Sequence, residues 1–206
     1  MIINKVLGAP WFYDLFQTII KGYSFKKSFL ETFITHTRKI SVLDIGCGTG
    51  FSAKVLKNYK NIQYVGFDFN QKYIAKAKNL RLKNAKFYNN NAMNYLKLKK
   101  TNKHDIIIIN GFLHHLDIKE IKEIVKYLKK FVKTKGVIIG IEPIYHKHQK
   151  KIEKIIMSLD RGKSIFTYSF WRSIFAKEFK IVKLKKHTNL FRVPYSVISF
   201  SLSKPY

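Results

Sequence analysis

The feature that most constrains this chain is a glycine-rich turn that directly follows an apolar run. Residues 40–45 read as a strand, and glycines stand at positions 46, 48 and 50. Glycine at a tight turn lets a ligand come close to the backbone, because no side chain is in the way. An amphipathic helix starts near Thr49, and the amides at its start favour electron-rich ligand groups. The stretch therefore predicts a nucleotide-type binding loop.

The spacing of these glycines excludes two common phosphate-binding motifs. The dinucleotide pattern G-x-G-x-x-G fails because position 51 is phenylalanine. No G-x-x-x-x-G-K-[ST] stretch occurs either, so a phosphate-cradling P-loop is excluded.

The next hundred residues alternate strands and helices. Strands are predicted near 40–45, 62–68, 85–89, 104–110 and 136–142. Helices are predicted near 50–59, 70–82 and 117–132. This alternation implies right-handed crossovers and a parallel sheet that is covered on both faces.

Two further segments flank this alternating core. Residues 10–36 are predicted to be helical, with a break at Gly22-Tyr23-Ser24, and form either a packed layer or a lid over the ligand. After residue 142 we expect helices over 146–159 and 170–179 and two closing strands, 181–185 and 193–202, that pair antiparallel. No linker or internal repeat interrupts the chain.

Composition narrows the class of protein. With 206 residues and 46% hydrophobic residues, the chain is expected to be one globular domain. The single cysteine, Cys47, excludes an intramolecular disulfide and a cysteine-based zinc cluster, which fits a reducing compartment. No signal peptide or membrane span is expected, so we predict a cytoplasmic protein.

The net charge of +28 has two interpretations. It could serve a polyanion partner such as RNA, DNA or a membrane surface. It could also reflect the lysine-rich usage of an AT-rich genome. Only five of the 40 basic residues are arginine, the residue that nucleic-acid sites exploit, so we favour the second interpretation. We expect nonspecific polyanion binding at low salt only, and the sequence gives no signal for an oligomeric state.

Acidic residues are scarce, and three of the 12 end predicted strands. Asp44, Asp68 and Glu142 stand at the carboxyl ends of strands one, two and five. Open parallel sheets bind their ligands beyond these ends. Asp68 lies about 20 residues past the glycines and suits a bidentate grip on ribose hydroxyls. The alternatives are that Asp44 caps the next helix and that Asp68 caps the helix beginning at Asn70.

The glycine stretch resembles the first motif of class I S-adenosylmethionine-dependent methyltransferases, a D/E-x-G-x-G-x-G loop after the first strand. The likeness spans about residues 38–142 and includes Asp68, which matches the acidic residue ending strand two. Asn91-Ala92 stands where the family usually has an Asp-Ala pair, so the grip on the adenine amino group is expected to be weaker. Residues 104–116, which end in Leu-His-His-Leu, are similar to the strand-four segment, and residues 129–139 to the run into strand five.

The resemblance implies an α/β, Rossmann-like, doubly wound sheet of seven mostly parallel strands, with an antiparallel last strand and a helical N-terminal lid. The domain would comprise residues 1–206, with the lid in 1–38, the cofactor core in 39–142 and the acceptor side in 143–206. The implied cofactor is S-adenosylmethionine, with S-adenosylhomocysteine as product. The implied cofactor-binding residues are Asp44, Gly46, Cys47, Gly48, Gly50, Asp68, Phe69, Asn91, Ala92, Asn110 and Gly111.

The acceptor must be recognised by the remaining segments, which are rich in aromatic residues and suit a small, partly apolar or aromatic molecule. We predict that His115, or else His114, orients or deprotonates the acceptor, although a packed structural histidine is the alternative. The predicted substrate-binding residues are Trp11, Tyr13, Glu142 and Tyr145. The histidines lack clustered carboxylates, so no metal site is expected. Other possible functions are RNA methylation and a catalytically silent, methyltransferase-like scaffold.

Overall fold

The centre of the molecule is a mostly parallel sheet whose strands carry β-branched residues on both faces. The computed structural model describes residues 22–35, 38–97, 102–158, 162 and 164–205. The strands are β1 (Ile40–Ile45), β2 (Ile62–Asp68), β3 (Ala85–Asn89), β4 (His104–Asn110), β5 (Val132–Tyr145), β6 (Phe166–Thr167), β7 (Lys180–His187) and β8 (Val197–Ser203). The strand order is β3-β2-β1-β4-β5-β8-β7, and the two-residue β6 pairs with the end of β5.

The direction of the strands confirms the predicted architecture. Strands β1 to β5 run parallel, and β8 runs antiparallel to both of its neighbours, β5 and β7. The chain moves outward from β1 to β3 and then returns to place β4 on the other side of β1. The carboxyl ends of β1 and β4 therefore border the switch point at which such sheets bind ligands.

Helices cover both faces of the sheet, as expected for strands joined by crossovers. They are α1 (Gly22–Glu31), α2 (Phe51–Leu56), α3 (Gln71–Lys78), α4 (Ala92–Leu96), α5 (Ile118–Phe131), α6 (Lys151–Ser158) and α7 (Tyr168–Ala176). Helices α1, α2 and α3 contribute to one apolar cluster, and α4, α5 and α7 to the cluster on the opposite face. Asp117 and Glu120 form a capping box at the start of α5.

The structure differs from the sequence-based expectation in several places. Helix α6 and strand β8 begin at Lys151 and Val197 rather than near residues 146 and 193. Gly22, Tyr23 and Ser24 are helical residues of α1, although a break was predicted there. Strand β5 starts at Val132, directly after α5, rather than near residue 136. Helix α4 and strand β6 were not predicted. The first part of the predicted lid lies outside the described residues, so the proposed division of the domain stays a prediction.

Candidate active site

Polar side chains meet where four neighbouring strands end. Asp44 is the penultimate residue of β1. Asp68 and Asn110 are the last residues of β2 and β4, and Glu142 lies near the end of β5. These strands are adjacent in the sheet, so their carboxyl ends form one edge. The predicted strand-end residues are therefore brought together at the switch point.

The glycine turn presents bare backbone at this edge. Gly48 has a φ of +55°, and a Cβ built on it would meet no atom within 4 Å. At Gly46, by contrast, a Cβ would lie 2.6 Å from the ring of Phe112. Glycine is thus required at position 46 by close packing and at position 48 by backbone conformation. The open space beside Gly48 leaves its backbone accessible to a ligand.

Asp68 is held in place by the backbone around it. Its Oδ2 accepts from the Gly48 amide at 3.0 Å, and its Oδ1 accepts from the Asn70 amide at 2.8 Å. Burial raises the pKa of this carboxyl, and the two amide bonds partly oppose that rise. A carboxylate has about four acceptor positions, so about two remain for further donors such as a pair of hydroxyls.

The capping alternatives for the two aspartates are wrong. The side chain of Asn70, not of Asp68, caps α3 by accepting from the amides of Lys72 and Tyr73. Gly50 occupies the N-cap position of α2, and no side chain, that of Asp44 included, makes a cap hydrogen bond there. Helix capping therefore does not account for either carboxylate.

Asp44 is a recessed carboxylate behind the turn. It is 2% exposed, and the Tyr64 hydroxyl donates to its Oδ2 at 2.5 Å. Burial raises the pKa of Asp44 to about 6, although bonds from Tyr64 and Ser52 lower it. These two hydroxyl partners were missed in the sequence. One feature of the sequence indicated the Tyr64 contact: a tyrosine, whose hydroxyl needs a hydrogen-bond partner, stands at a position of β2 where the alternating pattern predicts burial.

The residues predicted to flank an adenine have contrasting environments. Phe69, next to Asp68, is 74% exposed and offers a free aromatic face. Asn91 is the N-cap of α4, and its side-chain oxygen accepts from Met93 N at 2.8 Å. That oxygen is therefore already engaged, while Ala92 is buried. The adenine-edge role of Asn91 and Ala92 stays a prediction.

Asn110 carries an unsatisfied acceptor at the end of β4. Within the described part of the chain, its Oδ1 is buried and has no hydrogen-bond partner. The next residue, Gly111, has a φ of +60° and donates its amide to Ile141 O at 2.8 Å. A buried polar atom without a hydrogen-bond partner is rare, and a bound ligand can supply the donor that this oxygen lacks.

Glu142 and His114 form a closely coupled pair. The Glu142 carboxylate is fully buried and lies 2.7 Å from His114 Nδ1. It also accepts from the backbone amides of Phe112 and Leu113, both at 2.9 Å, and of His114 at 3.3 Å. In this structure Glu142 binds the loop after β4, whereas the sequence suggested direct contact with an acceptor.

His114 is closely surrounded by His115 and by the segment that contains Gly162 and Ser164. The ring of His115 packs 4.1 Å from the ring of His114, and Ser164 N donates to His114 O at 2.9 Å. A Cβ on Gly162 would lie 2.3 Å from His114 Cδ2. His114 is 4% exposed, whereas His115 is half-buried. Of the two predicted histidines, His115 is therefore the more accessible to an acceptor.

The remaining predicted residues have mixed outcomes. Cys47 lies within the glycine turn and is buried. Burial, together with the nearby Asp44, strongly raises the pKa of its thiol. Tyr145 is half-buried and packs against the small cluster that contains Ile141 and Met157. Trp11 and Tyr13 lie outside the described residues. Their roles stay predictions.

Neither a candidate metal cluster nor a candidate membrane-spanning helix is found among the described residues. No group of three or more His, Cys, Asp and Glu side chains in the described ranges is placed to hold a metal ion. Among the helices that the structure describes, none has the length and apolarity needed to cross a bilayer.

Comparison with known proteins gives a family match and several structural neighbours. A family model described as a methyltransferase domain matches residues 36–180. No match was found among curated protein sequences. An S-adenosylmethionine-dependent methyltransferase from Archaeoglobus fulgidus is structurally similar, with a TM-score of 0.72 and 19% identity over 93% of this chain and all of the other.

Two further structures are similar across nearly the whole chain. The N-methyltransferase NodS from Bradyrhizobium japonicum, bound to S-adenosylhomocysteine, has a TM-score of 0.70 and 12% identity over 99% of this chain and 97% of its own. Phosphoethanolamine N-methyltransferase 2 from Haemonchus contortus has a TM-score of 0.79 and 14% identity. The match to it covers 99% of this chain and 59% of that protein. At these identities the structural likeness concerns the fold alone.

Proposed function

The chain belongs to the methyltransferase-domain family whose model matches residues 36–180, and we propose that it transfers a methyl group from S-adenosylmethionine to a small, partly apolar or aromatic acceptor. The observation that carries the proposal is the geometry of Asp68. Its carboxylate is oriented by the amides of Gly48 and Asn70, beside open backbone at the switch point.

The residues at the sheet edge fit this cofactor. Asp68 would hold the ribose hydroxyls, because it retains acceptor positions beyond its two amide bonds. Phe69 would cover one face of the adenine with its exposed ring. Asp44 would favour the ammonium group at the other end, and Asn110 would offer its unpartnered oxygen on the methyl side. The glycine turn would leave room for the atoms between them.

S-adenosylmethionine supplies a methyl group on a sulfonium, which a nucleophile can displace directly. The chain therefore has to align the acceptor and exclude water more than it has to activate either reactant. Glu142 would keep the loop 111–115 in one conformation through its three amide bonds and its bond to His114. His115 would face the acceptor from that loop and remove a proton where the acceptor has one to lose.

The proposed acceptor side lies between the N-terminal helices and the segment that follows β5. Tyr145 lies at the end of β5, and β6 pairs with the same end of that strand. Tyr23 of α1 stacks on Phe51 at 4.4 Å, which brings the N-terminal helix to the glycine turn. Trp11 and Tyr13 precede this helix in sequence and are proposed to complete an aromatic wall. Such a wall favours a small apolar acceptor over a polyanion.

RNA methylation and a silent scaffold role remain the alternatives. The first is supported by the net charge of +28. The scaffold role is less well supported, because a scaffold needs neither an open glycine turn nor an oriented carboxylate at Asp68. A screen with methyl-labelled S-adenosylmethionine tests all three: label should enter a small-molecule fraction, and His115→Ala should lower the rate by roughly 10²–10⁴-fold if His115 is the base. Label that enters only RNA, or no label transfer with intact cofactor binding, would contradict the proposal.

A further inference from the structure

Helix α6 has an outward face that is apolar. Ile152 and Ile155 are 52% and 57% exposed, whereas Glu153 and Met157 are buried. At about 100° per residue, Ile155 lies almost opposite the buried pair and therefore faces away from the core. Exposed isoleucines three residues apart on one short helix form a continuous apolar strip rather than a scattered surface residue.

Within residues 146–158, the exposed charged side chains that the structure describes are all lysines. Lys147, Lys150, Lys151 and Lys154 are all exposed. The single acidic side chain of the segment, Glu153, turns inward, where Gln149 Nε2 donates to its Oε1 at 3.0 Å. The inward carboxylate leaves the outer surface of residues 146–158 without an exposed acid.

The neighbouring loop between β7 and β8 extends the pattern. Phe191 packs against the cluster that contains Met157, so this loop lies beside α6. It exposes Leu190, which is 40% accessible, together with Arg192. Leu190 is thus a third exposed apolar side chain, and it has a neighbouring cation in Arg192.

We propose that this face of α6 docks on an anionic bilayer surface. The isoleucines would enter the boundary between head groups and acyl chains, and the lysines would approach the anionic head groups. Nucleic acid matches the observations less well, because phosphate contacts would use the lysines and leave the isoleucines in water. The docking itself is independent of methyl transfer, and only its consequence for the acceptor rests on the proposed function.

Docking in this way would place the acceptor side of the domain at the membrane. Helix α6 follows β5, whose end carries Tyr145 on the proposed acceptor side. An acceptor dissolved in or attached to the bilayer could then enter without crossing bulk water.

Vesicle binding of the full chain tests the proposal. The protein should sediment with vesicles of phosphatidylserine and phosphatidylcholine and remain in solution with phosphatidylcholine alone. Ile152→Ser combined with Ile155→Ser should weaken binding by about tenfold or more, because the net charge is unchanged and only apolar contact is lost. Lys151→Gln combined with Lys154→Gln should also weaken binding by roughly tenfold or more.

Helix α3 offers a matched control. Lys72 and Lys76 are exposed on a helix whose exposed residues include no large apolar side chain. Their double replacement by glutamine removes the same charge and should lower binding by no more than about twofold. Since all six positions are exposed, the variants should remain folded, which circular dichroism verifies.

Three results would overturn the proposal. The isoleucine variant could bind vesicles as the wild type does. The two lysine variants could lose equal affinity, which would indicate diffuse charge. Single-stranded RNA could bind more tightly than the vesicles at physiological salt, which would assign the surface to nucleic acid.

Discussion

Replacing Asp44 with asparagine should stabilise the protein at neutral pH while removing a charge from the proposed cofactor site. Asp44 is 2% exposed, and burial raises its pKa from 3.8 to about 6. Tyr64 and Ser52 donate to the carboxylate but do not offset the burial. Asparagine can keep both contacts, because Tyr64 can donate to the amide oxygen and Ser52 can accept from the amide nitrogen.

The magnitude follows from the difference between the folded and the ordinary pKa. A rise from 3.8 to about 6 corresponds to about 3 kcal/mol, at 1.36 kcal/mol per unit. A raised carboxyl pKa means that the folded state favours the protonated form, so its stability falls as the pH rises from about 4 to about 6. The Asp44→Asn variant does not titrate. It should therefore be more stable than the wild type by up to about 3 kcal/mol at about pH 8, with little difference below about pH 4.

Urea unfolding of both proteins at the two pH values measures this difference. At about pH 8 the variant should also melt roughly 6–12 °C higher. Comparing the two proteins at each pH cancels other titrating groups, such as His104, whose pKa burial lowers to about 4. As a control, Tyr64→Phe removes a donor and should destabilise the protein at about pH 8. An Asp44→Asn variant that is less stable at about pH 8, or a difference that does not change with pH, would refute the reasoning.

Three further predictions concern other groups. Asp105→Asn should cost about 1.5–3 kcal/mol in the free energy of unfolding at neutral pH, because the buried carboxylate accepts from Lys133 at 2.7 Å and from Arg38 at 2.6 Å; burial raises the pKa of Asp105, but its hydrogen bonds outweigh burial and hold the pKa below its usual value, so the difference from the wild type should shrink in strong acid. Glu142→Gln should destabilise the loop after β4 and speed hydrogen exchange at the Leu113 amide, which donates to Glu142 at 2.9 Å; unchanged exchange would contradict the positioning role. Gly48→Ala should cost about 1–2 kcal/mol in stability because the φ at that position is +55°, and calorimetry should show weaker cofactor binding.

The sequence predicted the sheet well because local residue choice decides these strands. Strand β4 is buried at every position but the last, and its predicted bounds, 104–110, are those observed. Strand β5 was predicted too short because Lys133 and Lys135 interrupt its apolar pattern. Helix α4 has five residues, too few for a helical period to show. Such short elements are fixed by tertiary packing.

The site was predictable in position but less so in contacts. Strand ends place Asp68 and Glu142 at one edge without any knowledge of packing. The partners of Glu142 depend on how the loop after β4 folds back over β5, which no local pattern encodes. The same holds for Asn91, whose capping role competes with the ligand contact that the family resemblance implies.

Calorimetric titration with S-adenosylhomocysteine tests the central assignment most directly. The wild type should bind it in preference to a nicotinamide dinucleotide. Asp68→Ala should weaken binding by about 1–3 kcal/mol, or roughly 5- to 150-fold, through loss of charge-assisted hydrogen bonds. Glu178→Gln is the control, because it removes a carboxylate that pairs with Lys129 at the opposite edge of the sheet, and its affinity should equal that of the wild type. Unchanged affinity in Asp68→Ala, or tighter binding of the dinucleotide by the wild type, would contradict the account.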